Sequence, residues 1–285
     1  MHSYIWLWLT LASGVLLGFY DIFKKKSLEK IPVLNVLALY SVFSFLLVSY
    51  ELNNAISINK VSLLITLIKA LVIFLSWTLG FTAIKHLPIS VISPFGTLSP
   101  VFTIFLGVFI LNESLEFKQA IGIFVMLLSY YFIGMTGKAE IKGLFRNKYL
   151  YLMIGSSLLS AVSAMLDKII LKKVNSGQMQ FWFCFFVMVM YVGAYLFDRL
   201  KSKTKIPLKF SVFIPLTSLF LVLSDKIYFL AVEASDSKIS LILPLRKSSI
   251  IISAIVGGLL FREKNILKKF VCIAVLLIGI VIVFV

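Results

Sequence analysis

Apolar residues run in long unbroken strings, and polar residues gather in the short breaks between them. The strings lie at about 4–23, 33–50, 61–83, 88–111, 118–135, 149–171, 180–197, 210–232, 238–261 and 267–285. At 1.5 Å per residue, about 20 residues cross a hydrocarbon layer roughly 30 Å thick. Barrel strands would instead alternate over about ten residues, and their edges would need closing. The strings therefore read as helices whose backbone groups are satisfied internally, the condition for crossing lipid. The expected fold is an all-α polytopic membrane protein with ten transmembrane helices. The first string has no basic flank before it and no small-residue cleavage site after it, and Lys24, Lys25 and Lys26 follow at once. It reads as a retained span and not as a signal peptide.

Composition excludes a soluble globule: 60% of the 285 residues are apolar, mean hydropathy is +1.04, and only 14% are charged. A water-facing exterior needs about a quarter. The net charge of +16 does not point to nucleic acid. Its lysines and arginines fall between the strings, as in Lys24 to Lys26, Arg199 to Lys209 and Lys268-Lys269, where they orient spans and meet anionic headgroups. Cys184 and Cys272 both sit within apolar strings, which argues for packing residues and against a disulfide or a thiolate site. With His2 and His86 as the only histidines, no histidine cluster can hold a metal. The stretch Gly134 to Lys138 has neither the spacing nor the hydroxyl of a phosphate-binding loop. No cofactor and no nucleotide hydrolysis are expected. Transport would run on a gradient or on exchange, with a coupling proton or a counter-substrate as partner.

The chain repeats itself. Residues 89–135 align without gaps on 239–285 at an offset of 150, pairing Pro94 with Pro244, Ser99 with Ser249, Gly107 with Gly257 and Glu113 with Glu263. Near offset 146, Thr10, Gly14, Leu17 and Asp21 align with Ser156, Ser160, Ser163 and Asp167. The division is a first five-helix repeat at 1–137, a connector at 138–148 and a second repeat at 149–285. An odd number of spans per half makes the halves antiparallel, and inverted repeats of this kind underlie many alternating-access carriers.

Polar residues inside the strings are the candidates for chemistry. Arg246, Ser249, Ser253 and Gly257 share a helical face in the ninth span, and Gly96, Ser99, Thr103 and Gly107 share the matching face in the fourth. Arg246 lies about eight residues into its span, where an unanswered arginine costs roughly 2.5–3.5 kcal/mol even on the lower scales. Lys247 adds a second cation. The turn between spans eight and nine centres near Ser235, so Asp225 and Arg246 lie at nearly equal depth and form a candidate ion pair. With Lys247 beside it, the pair leaves a positive site for a carboxylate or phosphate. The structural alternative is a buried pair that only orients helices. Ser218, Asp225 and Tyr228 share one face of span eight, and Lys69 shares a face of span three with Ser76 and Gly80 beside Trp77. Asp21 and Asp167 occupy equivalent repeat positions near Lys24 to Lys26 and near Lys168, Lys172 and Lys173. Interfacial snorkelling explains these aspartates at least as well as a proton relay. Pro94 and Pro244 break backbone bonds, which is tolerated beside a cavity. The candidate substrate-binding set is thus Arg246, Lys247, Asp225, Tyr228, Trp77, Lys69, Ser249 and Ser99. The coupling or gating set is Asp21, Asp167, Pro94 and Pro244.

The strings from Pro94 through Gly107 to Glu113, and from Pro244-Leu245-Arg246 through Ser249 and Gly257 to Glu263, resemble the drug/metabolite transporter superfamily and its ten-helix EamA-type members. In the first half, Gly96-Thr97 stands where Arg246-Lys247 stands in the second. The resemblance implies two inverted five-helix bundles and a central site lined by spans one, three, four, six, eight and nine. Substrates in that superfamily range over amino acids, sugars, nucleotide sugars and triose phosphates, and the adjacent basic residues are similar in kind to those of plastid phosphate translocators. The expected protein is not an enzyme. It is a secondary active transporter of a small polar or anionic metabolite, multi-pass in the cell (inner) membrane, monomeric or homodimeric, working by alternating access. The competing readings are a lipid-linked intermediate flippase and a membrane-embedded enzyme. Loop charge puts about eighteen basic residues on the side of the first loop and about five on the other, which favours both termini outside, while family members usually have both inside.

Overall fold

The computed structural model describes residues 5–87, 98–135, 147–201, 209–234, 236–260 and 266–284. They form helices α1 (Ile5–Leu28), α2 (Val33–Val48), α3 (Lys60–His86), α4 (Leu98–Phe109), α5 (Phe117–Met135), α6 (Lys148–Ile170), α7 (Ser176–Lys201), α8 (Phe213–Glu233), α9 (Ile239–Arg246), α10 (Ser249–Leu260) and α11 (Ile266–Phe284), with a short helical extension of α2 at Leu52–Ala55. No strand occurs among the described residues. Six segments are long and apolar enough to cross a membrane: α1, Val33–Ala55, α3, α6, α7 and α8. Shorter apolar helices lie at Leu98–Phe109, Phe117–Phe132 and Val271–Val283. Residues 88–97, and Pro94 with them, lie outside the described residues, as does Glu263. Large side chains such as Trp8, Phe105, Phe124 and Phe197 point outward. Lipid accepts such side chains at no cost.

Lipid tails are as apolar as leucine, so helices here associate through close backbone approach and hydrogen bonds. Both devices are present. A Cβ on Gly18 of α1 would come within 2.8 Å of the Ser249 carbonyl oxygen, and one on Gly14 within 3.0 Å of the Arg246 carbonyl oxygen. Between α5 and α11, a Cβ on Gly122 would lie 2.8 Å from the Gly279 carbonyl oxygen, and Ser129 Oγ donates to the Cys272 carbonyl at 2.5 Å. Between α1 and α8, Ser13 and Ser224 each donate to the other's carbonyl oxygen at 2.9 Å. Between α3 and α6, Ser76 donates to the Ser156 carbonyl at 2.8 Å and lies 2.8 Å from Ser160 Oγ.

The packing pairs are ordered. α1 packs on α8 and α3 on α6; α1 packs on α10 and α6 on α4; α2 packs on α8 and α3 on α7. The remaining large contacts are α2 with α7, α5 with α11 and α4 with α9. Exchanging each span with its counterpart in the other half returns the same set.

The ninth apolar string is two helices rather than one. Pro244 supplies no N–H, and its carbonyl oxygen accepts a hydrogen bond from the Tyr130 hydroxyl at 2.6 Å. The next turn tightens: Lys247 N donates to Leu243 and Pro244 carbonyls at 3.1 Å, and Ser248 N to Leu245 at 3.0 Å. Arg246 and Lys247 stand at this break. The other end of α9 is capped from a distance. Asn112 takes a left-handed backbone (φ 54°), a conformation asparagine tolerates better than most, and the chain then presents Glu113 to α9. The Glu113 carboxylate accepts from Ile239 N at 2.8 Å, Ser240 N at 2.9 Å and Ser240 Oγ at 2.5 Å. It satisfies two orphan donors and puts negative charge at the positive end of the helix. Replacing Glu113 with Ala is expected to destabilise the folded protein by about 1–2 kcal/mol. Replacing it with Gln, which keeps one acceptor, should cost less, and thermal unfolding in detergent measures both.

Candidate functional site

A cavity of about 240 Å3 opens among α1, α3, α6, α8 and α9. Ser99 of α4 and Phe183 of α7 also reach it, so seven of the described helices contribute to its walls. One wall is hydroxylic, because Ser156, Ser160, Ser163 and Asp167 recur on one face of α6. Tyr20, Trp77, Phe81, Phe183, Tyr228 and Phe229 supply the aromatic walls. Along α3 the lining runs from Lys69, near mid-helix, to Ile84, close to the end at His86. The cavity therefore extends from mid-depth toward the ends of α1 and α3, the side that carries Lys24 to Lys26, Lys30 and Lys85. In the opposite direction the interior is a packed apolar core that includes Trp6, Leu7, Met179, Val232 and Ile242.

Arg246 meets Asp225 as the depth argument expects: Nη2 donates to Asp225 Oδ1 at 2.6 Å. The same nitrogen donates to Ser224 Oγ at 2.9 Å, and Nε donates to Ser13 Oγ at 2.9 Å. Both serines spend their protons on each other's carbonyls, which leaves their lone pairs for the guanidinium. Tyr228 covers its face at 4.2 Å, a cation–π contact. Asp225, Ser13, Ser224 and Tyr228 thus answer Arg246 through Nε, Nη2 and one face of the guanidinium, and the residue also borders the cavity.

The second pair departs from the sequence expectation. Asp167 is joined to Lys69 at 3.0 Å, with side chains only 5% and 3% exposed, and not to Lys168. Lys69 Nζ sits 3.5 Å from the Phe183 ring centroid and 5.1 Å from that of Phe229, and Tyr228 donates to Asp167 Oδ2 at 3.1 Å. Lys168 turns away to the Ser237 carbonyl at 2.7 Å and the Val232 carbonyl at 3.2 Å. The reason is helical: neighbours in sequence point about 100° apart, so the residue next to Asp167 cannot share its face. Asp21, its repeat counterpart, is a third exposed and pairs with Lys24 at 2.5 Å. The two aspartates are alike in sequence position and unlike in environment.

Lys24, Lys69, Arg246 and Lys247 face the cavity with Asp21, Asp167 and Asp225. Three ion pairs use all three carboxylates. The Lys247 side chain has no hydrogen-bond or ion-pair partner among the described residues, so it is the cavity-lining basic group outside the three pairs.

Of the other candidates, Trp77, Tyr228 and Ser99 line the cavity, and Pro244 breaks the helix that delivers Arg246. Ser249 is not on the wall: it is buried against Gly18 of α1. Pro94 lies outside the described residues. Ser218 faces α2, donating to the Tyr40 carbonyl at 3.0 Å. Sequence reasoning missed the serine wall of α6, which the i, i+4, i+7, i+11 stripe ending in Asp167 would have revealed.

Removing one partner of the Arg246–Asp225 pair leaves an uncompensated buried charge, at a cost of about 3–5 kcal/mol. Arg246→Gln alone should therefore lower the thermal midpoint strongly. The double variant with Asp225→Asn should recover much of the loss, and a double-mutant cycle reads the coupling.

Residues 4–135 match the model of the EamA-like transporter family. No curated protein matches the chain. A solved crystal structure of another protein superposes with a TM-score of 0.73 over 96% of this chain and 94% of that one, at 12% identity. At that identity the likeness is one of fold.

Proposed function

We propose that this chain, whose residues 4–135 carry the EamA-like transporter signature, is a secondary active transporter of a small polar or anionic metabolite, working by alternating access in the cell membrane. The observation that carries the reading is Lys247: a side chain without an ion-pair partner among the described residues, on a cavity of mixed serine, charged and aromatic lining that opens toward one side and is backed by apolar core on the other. A single surplus charge suits a substrate with one net negative charge. The α6 serines offer hydrogen bonds to its polar groups, and Trp77, Phe81 and Tyr20 flank its apolar part. Members of this family are transporters rather than enzymes.

The reading takes α9 and α10 as one broken span and the chain as ten spans in two inverted repeats. It is supported by the packing pairs, which return to themselves when the halves are exchanged. In an inverted repeat, each half adopting the other's conformation gives a state open to the opposite side. Such a swap would release the α8–α9 turn from Glu113 and Lys168 and close the mouth near Lys24. Energy coupling falls to the Lys69–Asp167 pair at the cavity floor. A proton on Asp167, or substrate drawn toward Lys69, would break the pair and let the layer beneath it part.

In proteoliposomes loaded with the ligand that a stabilisation screen identifies, Lys247→Gln should fold normally and lose flux at least about tenfold, equivalent to about 1.4 kcal/mol of lost charge attraction. Full flux in that variant would remove the basis of this reading. The screen should span amino acids, sugar phosphates and nucleotide conjugates, since a ligand at 100 times its Kd stabilises the folded state by about 2.7 kcal/mol. Asp167→Asn should keep substrate exchange and lose gradient-driven accumulation, while loss of both would assign Asp167 to substrate binding instead.

A further inference from the structure

A second, much smaller pocket of about 10 Å3 lies behind the Asp225–Arg246 pair, where α2, α7 and α8 meet. That is about the space one water molecule occupies. Trp77, Phe183, Leu221 and Asp225 line both this pocket and the main cavity, so one layer of side chains separates them. Tyr40, Ser44 and Gln180 line it, and each carries a buried oxygen: Tyr40 Oη, Ser44 Oγ and Gln180 Oε1. Their residues are only 0%, 6% and 1% exposed, and none of the three atoms has a protein hydrogen-bond partner. Six buried side-chain oxygens among the described residues lack a hydrogen bond, one of them the Asp167 Oδ1 that is ion-paired with Lys69, and three belong to residues of this pocket. The orientation of Gln180 is set, because Nε2 donates to the Val222 carbonyl at 2.8 Å and Oε1 is left as an acceptor.

A buried polar atom without a partner costs about 1–3 kcal/mol, so three around one pocket call for a common answer. We propose that the pocket binds one ordered water molecule, which accepts from the Tyr40 and Ser44 hydroxyls and donates to Gln180 Oε1 and the Asp225 carboxylate. The chemistry balances: water has two donors and two acceptor sites, and the wall offers two hydroxyl donors, one fixed amide acceptor and a carboxylate whose Oδ1 already serves Arg246. A sodium ion would use the oxygens' lone pairs but leave both hydroxyl protons without an acceptor. The water ties the charged pair of the main cavity to α2 and α7, and makes Tyr40, Ser44 and Gln180 positioning residues for Asp225. The water site stands on burial and donor count, whether or not the chain transports.

Hydroxyl-radical footprinting of the full-length protein by radiolysis tests it directly, because radicals born from a bound water label neighbouring side chains that bulk solvent never reaches. Tyr40 and Cys184 should be oxidised severalfold faster than Tyr130 and Tyr191, whose hydroxyls are held by the Pro244 and Phe74 carbonyls. Gln180→Leu, or Ser44→Val should the first fail to fold, removes a partner and fills the pocket, and should bring Tyr40 labelling down to the control rate. Labelling of Tyr40 and Cys184 at the control rate in the unaltered protein overturns the proposal. Labelling that disappears when sodium chloride replaces choline chloride also overturns it, in favour of a cation.

Discussion

A guanidinium buried among apolar helices must be answered by the groups around it, and the centre of this protein is arranged to answer Arg246. The charge is met by Asp225, two of the N–H directions by Ser13 and Ser224, and the planar face by Tyr228. Each answer places demands further out. Ser13 and Ser224 can offer lone pairs only because their protons go to each other's backbones, which fixes α1 against α8. That approach, and the seating of α1 on the Arg246 carbonyl, require Gly14 and Gly18. The break at Pro244 then has to be stabilised from a fifth helix by Tyr130. One buried charge thus sets how closely several helices come together, and Lys247, next in sequence, is left on the cavity side of the same break.

What could be read from the chain divides along physical lines. The helical, membrane-crossing character of the long strings and the Arg246–Asp225 pair were legible because both depend on local counting: string length, and equal distance from a turn. The Lys69–Asp167 pair was not, since it joins spans whose relative height no local rule fixes, and Lys168 offered a nearer cation that points the wrong way. Ser249 failed as a wall residue for a different reason. A face drawn through Arg246, Ser249 and Ser253 assumes one continuous helix, and the tightened turn at Lys247-Ser248 rotates everything after it toward α1. The proline that marked the site as interesting also invalidated the wheel used to read it. Gln180, Tyr40 and Ser44 belong to three-helix packing, which leaves no periodic trace.

The repeat carried a further message that only the fold made readable. Glu113 stood out in sequence because it recurs at Glu263, yet nothing local said what it does, since its partners Ile239 and Ser240 lie in the other half. A carboxylate that caps a helix of the opposite half links the halves where the α8–α9 turn lies. Lys238 reinforces that link through the Ser114 carbonyl at 2.6 Å, while Lys168 holds the same turn from within its own half through the Ser237 and Val232 carbonyls.

These contacts differ in kind from those at mid-depth, and the difference bears on how the proposed cycle would distribute its cost. Glu113, Lys168 and Lys238 bind backbone groups near helix ends, where water can replace each bond as it opens; hydrogen bonds exchanged with water are worth only about 0.5–1.5 kcal/mol net, somewhat more when one partner is charged. The Lys69–Asp167 pair is almost wholly buried at the cavity floor, with side chains 3% and 5% exposed, and separating it leaves an uncompensated charge at several kcal/mol. A molecule so built has inexpensive latches at its ends and a costly one at its centre. Motion that opened the far side would be limited by the central pair, not by the end contacts. In the proposed cycle, a substrate or proton acting on that pair would therefore control access to both sides from a single place at the cavity floor.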